Sequence, residues 1–115
     1  MEFLESPAFG RRLAAYLDDD GYRKLQVKLA REPGAGDLIP GTGGFRKIRW
    51  ADKRRGKGLR GGLRVIYYHF AQDDQIWLMT LYGKNEAADL TPREKKALKA
   101  AIDGECLARA VWRKR

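Results

Sequence analysis

The spacing of apolar residues changes twice along this chain, from a helical period to a strand period and back. Phe9, Leu13, Tyr16 and Leu17 recur at the spacing of one helix face. Ser6-Pro7 ahead of them offers an N-cap followed by proline at the first helical position. Asp18, Asp19 and Asp20 end this helix and open the next, because acids suit the partial positive charge of a helix N-terminus. Tyr22, Leu25 and Leu29 form the apolar stripe of the second helix, and Pro33 stops it. A helical hairpin is therefore predicted, preceded by a short strand in MEFLE.

Residues 33–44, PGAGDLIPGTGG, are rich in turn formers and are predicted to be a loop. A period of two follows. In FRKIRW, Phe45, Lys47 and Arg49 share one face; Arg46, Ile48 and Trp50 share the other. In LRVIYYHF, Arg64, Ile66, Tyr68 and Phe70 oppose Val65, Tyr67 and His69. AQDDQ makes a tight turn into IWLMTLYG, whose apolar residues do not alternate, as in a strand covered on both faces.

The helical period returns at Thr91-Pro92-Arg93-Glu94, a capping box with proline at the first helical position. Ala97, Leu98, Ala101 and Ile102 are predicted to form its buried stripe. Gly104 marks an end or a weak point, AVWRKR frays or adds a last turn, and Cys106 is expected to be a small buried residue. The order is β-α-α-β-β-β-α. Helices and strands come in runs rather than alternating, which predicts an α+β fold: a helical hairpin and a C-terminal helix packed on a mainly antiparallel sheet. With 115 residues, the chain is read as a single domain, 1–115.

Charge sharpens the picture. There are 24 Lys and Arg residues against 15 Asp and Glu, a net charge of +9. Nine of the cations lie between residues 46 and 64: Arg46, Lys47, Arg49, Lys53, Arg54, Arg55, Lys57, Arg60 and Arg64, with Asp52 the only acid among them. Clustered cations repel one another unless an anion sits between them. Nucleic acid is the first partner such a surface suggests. Phe45, Trp50, Tyr67, Tyr68 and Tyr82 could stack on unpaired bases, although sheets favour aromatics in any case.

Other chemistries find little support. One Cys and one His cannot assemble a metal cluster, so no metal and no cofactor is expected. PGTGGF lacks the Gly-Lys-Ser/Thr of a phosphate loop, and GTGG is read as a turn. His69 lies opposite in parity to Arg64, which argues against a catalytic role. MEFLESPAFG lacks the basic start and apolar run of a signal peptide, and no stretch approaches the roughly 20 apolar residues of a membrane span. A cytoplasmic protein is expected.

Three stretches in order, GTGGFRKIRW, RGGLRVIYY and LMTLYGKNEAADLTPREKKAL, resemble the RelE superfamily of bacterial toxins, most closely its HigB-like branch. The similarity runs over nearly the whole chain. It implies the toxin of a type II toxin–antitoxin system: a metal-independent, ribosome-dependent endoribonuclease (mRNA interferase). Such an enzyme cuts mRNA in the ribosomal A site and inhibits translation. The ribose 2′-OH attacks its own 3′ phosphate, giving a 2′,3′-cyclic phosphate and a 5′-OH. Carried over by position, the family's basic residues fall on Lys47, Arg49, Arg64 and Lys84. Asn85 stands where the family's second basic residue would be, and no tyrosine follows Tyr82 to match the family's C-terminal one. The general base is thus left unassigned, with Lys47 and Lys84 as candidates for proton transfer. Arg46, Lys53, Arg54, Arg55, Lys57, Arg60 and Asn85 are expected to contact RNA or the ribosome. The implied partners are the 70S ribosome, with its rRNA and mRNA, and a cognate HigA-like antitoxin carrying a helix-turn-helix domain. A non-catalytic RNA- or ribosome-binding module using the same basic sheet face is the alternative.

Overall fold

The computed structural model describes residues 1–52, 56, 58, 62–86 and 89–114. Five strands form one mixed sheet: β1 (Glu2–Glu5), β2 (Asp37–Leu38), β3 (Arg46–Trp50), β4 (Leu63–Phe70) and β5 (Gln75–Gly83). Their spatial order is β1-β5-β4-β3-β2. The pairs β2–β3, β3–β4 and β4–β5 are antiparallel, whereas β1 runs parallel to β5. Helices α1 (Pro7–Tyr16), α2 (Asp19–Arg31) and α3 (Pro92–Arg113) complete the α+β domain.

The local signals act as their chemistry dictates. Ser6 caps α1 by accepting from the Phe9 N–H. Asp18 caps α2 by accepting from the Gly21 N–H, with Asp19 and Asp20 in the first turn. Thr91 and Glu94 form the reciprocal capping box at the start of α3. Each cap satisfies helix N–H groups that have no partner within the helix. In the GTGG turn, the buried Thr42 hydroxyl donates to the Ile39 carbonyl (2.7 Å) and accepts from the Phe45 N–H (3.2 Å).

The sheet separates two cores. On one face α1 and α2 cover Ile48, Leu63, Val65, Tyr67, Ile76, Leu78 and Leu81, with Phe9, Leu25 and Leu29 fully buried against them. On the other face Leu98 and Ile102 of α3 meet Phe45, Ile66, Phe70 and Tyr82. A bulge divides β5: Ile66 pairs with Thr80 but Tyr67 pairs with Leu78, leaving Met79 as the extra residue. The bulge resets the alternation. Ile76 and Leu78 face the hairpin before it and Leu81 after it, so Tyr82 is turned to the α3 side.

Several expectations need correction. The loop after α2 contains the two-residue strand β2, paired with Lys47 and Arg46. Position Gly104 neither ends nor interrupts α3, which runs on through AVW to Arg113. The last turns are held from outside: Arg109 reaches Asp73 (2.6 Å) and Gln75 (2.7 Å), its guanidinium lies 3.7 Å from the Phe70 ring centroid, and Arg113 also reaches Asp73 (2.7 Å). Cys106 is exposed, and of the predicted α3 stripe only Leu98 and Ile102 are buried. Ala97 is exposed, because a single sheet face receives only about one side chain per helical turn here.

Candidate functional site

Strand parity and register bring three of the candidate cations to one face. Arg49 pairs directly with Arg64, Arg64 with Tyr82, Lys47 with Ile66, and Ile66 with Thr80. Two neighbouring rows across β3, β4 and β5 therefore carry Arg49-Arg64-Tyr82 and Lys47-Ile66-Thr80. Like charges directly opposite one another destabilise a sheet. The Arg49–Arg64 pair concentrates positive charge on this face, which suits an anionic partner.

The cations differ in exposure. Arg49 is exposed and Lys47 is partly covered, whereas Arg64 is only 4% exposed, with Nη1 donating to the Leu63 carbonyl at 3.1 Å. Burial fixes the Arg64 guanidinium, and a fixed cation stabilises developing negative charge without reorganising. Lys84 is exposed in the turn after β5, just beyond the last paired row, Trp50-Leu63-Gly83. Its N–H donates to the Gly62 carbonyl at 3.0 Å. At Gly62 a Cβ would strike the backbone of Trp50, Gly58 and Asp52, so only glycine permits this approach of chain to chain.

The Lys84 turn is braced by Glu86, from the LYGKNE stretch itself, and by Arg12, which no sequence motif singled out. Glu86 accepts from the Gly83 N–H at 3.1 Å, while its other oxygen takes Nη2 of Arg12 at 2.8 Å. Arg12 Nε also donates to the Leu81 carbonyl at 2.7 Å. Helix α1 thus clamps the end of β5 and the turn that bears Lys84 and Asn85.

Arg46 stands apart. It lies on the opposite face and donates to the carbonyls of Gly36 (2.8 Å) and Gly34 (3.4 Å), fastening the loop before β2. Tyr67 assists from the same face, donating to the Pro33 carbonyl (2.7 Å) and accepting from the Gly36 N–H (2.9 Å). The expected RNA contacts Lys53, Arg54, Arg55, Lys57 and Arg60 lie outside the described residues. His69 pairs with Ile76 near the far end of the sheet, remote from the cations.

Two further groups enter the site through tertiary structure. Asp89 lies ahead of α3, with Oδ1 accepting from the Leu90 N–H (2.8 Å) and 3.7 Å from Nζ of Lys47. The Leu90 N–H chiefly, then Lys47 and Lys95, hold its carboxyl below the usual range, so it is ionised at neutral pH. Tyr82 is 7% exposed, and its hydroxyl has no hydrogen-bond partner among the described residues. Burial first, then Asp89, pushes the phenol up, against an opposing influence from Arg64. Tyr82 therefore stays protonated and can donate.

Among the described residues no group of three His, Cys, Asp or Glu side chains is placed to hold a metal ion, and no helix is long and apolar enough to cross a membrane. No protein-family model matches the chain.

Proposed function

We propose that this protein is the toxin of a type II toxin–antitoxin system, a RelE-like, HigB-like endoribonuclease that cleaves mRNA in the ribosomal A site. The observation that supports this most is the shared face of Lys47, Arg49 and Arg64 on neighbouring strands, with Lys84 at the same end of the sheet. In-line attack of a ribose 2′-OH on the adjacent phosphorus builds charge on the phosphorane oxygens and on the departing 5′ oxygen. Arg64, rigid in its burial, and Arg49 bind the phosphate oxygens as charge-assisted donors. Lys84 approaches from the turn and Lys47 from the next row.

The ionised carboxylate of Asp89, 3.7 Å from Nζ, steadies the Lys47 ammonium at the edge of this site. The groups present are poor proton carriers in water, so precise placement of the message must supply much of the rate, which a ribosome-held codon provides. On this reading a HigA-like antitoxin restrains the toxin by covering the basic face.

Primer extension on ribosome-bound message tests this. Wild-type protein should create new, codon-phased 5′ ends, and Arg64→Ala with Lys84→Ala should abolish them while the circular dichroism spectrum persists. Full cleavage by that double variant would show that the catalytic centre lies elsewhere. Salt-sensitive ribosome binding without any cleavage by the wild type would favour a non-catalytic binding module.

A further inference from the structure

Beside the cations lies a cleft of about 260 Å³ between β5 and the start of α3. Thr80, Tyr82, Asp89, Leu90 and Glu94 are among the residues that line it. The cleft is joined to the proposed phosphate site twice: Tyr82 is the cross-strand neighbour of Arg64, and Asp89 lies 3.7 Å from Lys47. Its own chemistry is opposite in sign. Three carboxylates, Asp89, Glu94 and Glu86, outnumber the one guanidinium, Arg12, which is itself paired with Glu86 at 2.8 Å, so what enters here beside a bound phosphate is the uncharged part of a nucleotide.

Two lining groups have hydrogen-bonding capacity to spare. The Tyr82 hydroxyl is buried and without a partner among the described residues, a costly state that a ligand acceptor relieves. Asp89 uses one oxygen on the Leu90 N–H, and a carboxylate has about four acceptor positions in all. Glu94 is more committed, since Oε1 accepts from the Thr91 N–H in the capping box.

One donor hydroxyl beside one carboxylate selects among the four bases. The Watson–Crick edge of guanine offers an acceptor, O6, followed by two donors, N1–H and N2–H. A phenol facing O6 and a carboxylate facing both N–H groups satisfies the whole edge. Adenine and cytosine each present a single donor group on that edge, and uracil sets its one donor between two acceptors that face a carboxylate badly. Unstacked RNA bases are commonly read in this way, on the Watson–Crick edge.

We infer that this cleft is a guanine-recognition pocket, with Asp89 accepting from N1–H and N2–H and Tyr82 donating to O6. The inference rests on the nuclease reading for its purpose, because it assigns that site a base preference next to the scissile phosphate. Its test does not depend on cleavage. Purified protein is titrated with the 3′-monophosphates of guanosine, adenosine, cytidine and uridine, followed by amide chemical shifts. Guanosine 3′-monophosphate should bind roughly tenfold or more tightly than the other three, moving the amides of Tyr82 and Leu90. Asp89→Asn should remove that preference while leaving phosphate-dependent binding. Tyr82→Phe should weaken guanosine binding selectively without lowering the melting temperature, because the lost hydroxyl had no partner. Equal binding of all four nucleotides, no binding of any, or an unchanged guanosine preference in both variants would overturn the pocket. If ribosome-bound mRNA is cut without regard to guanine, only the pocket falls. If guanosine is preferred but no message is cut, only the nuclease proposal falls.

Discussion

The two faces of the sheet are built from the same strands and have opposite fates. On β3 and β4, Ile48, Val65 and Tyr67 lie beneath the α1–α2 hairpin, while their immediate neighbours Lys47, Arg49 and Arg64 look the other way. The first face is closed by two helices. The second is covered by a single helix, whose Leu98 and Ile102 pack over Phe45, Ile66 and Phe70. Tyr82 stands at the margin of that core, and its cross-strand row continues outward through Arg64 to Arg49. One face therefore supplies burial, and the other can carry repelling charges because the first already holds the strands in register.

Four perturbations sharpen this contrast, in falling order of expected effect. Leu29→Ala, on the closed side, should cost about 2 to 5 kcal/mol of stability by leaving a cavity among fully buried side chains. Urea unfolding measures it, and the effect on cleavage should follow only the fraction folded. Lys47→Ala, on the open side, should show the reverse. Cleavage of ribosome-bound message falls about 10²-fold or more, while unfolding moves by no more than about 0.5 kcal/mol, as for other partly exposed positions. If both variants lose stability and activity in proportion, the division of labour between the faces is wrong.

Thr91→Ala removes the cap of α3 and should cost about 0.5 to 2 kcal/mol. Because α3 covers only the second face, hydrogen exchange should rise in α3 before it rises in α1 or α2. The smallest effect concerns acid. Arg109 and then Arg113 hold the Asp73 carboxyl below its ordinary value. A depressed carboxyl contributes stability that is fully present above its unfolded value, about 3.9, and is lost as pH falls through the folded one. The C-terminal turns of α3 should thus loosen slightly below about pH 4, seen as faster exchange at Arg109 to Arg113. No change there would show that the Phe70 ring and Gln75 suffice to hold the helix.

Much of this architecture was legible in residues alone. Ser6-Pro7, the Asp18–Asp20 triplet and Thr91-Pro92-Arg93-Glu94 announced three helix starts, because capping is satisfied within four residues. Alternation assigned Lys47 and Arg49 to one face and Arg64 to the face with Ile66, because side-chain direction in a strand repeats every two residues. Legibility ended where partners are distant in sequence. Nothing local marks Arg12 as the brace of the Gly83–Glu86 turn, Asp89 as a neighbour of Lys47, or Asp73 as the anchor of Arg109. Cys106 and Gly104 were misjudged for the same reason: whether a helical position is covered, or a glycine tolerated, depends on what packs against the helix.

The amino-acid sequence by itself determined the caps, the alternation and the excess of positive charge, all properties of short segments with their own geometry. Tertiary structure decided which of those segments meet. The bulge at Met79 shows the difference most clearly. Counting by twos along IWLMTLYG sends Tyr82 to the same side as Leu78, into the hairpin core. One extra residue, stable only because β4 and β5 pair in shifted register around it, turns Tyr82 instead toward Arg64 and the cleft.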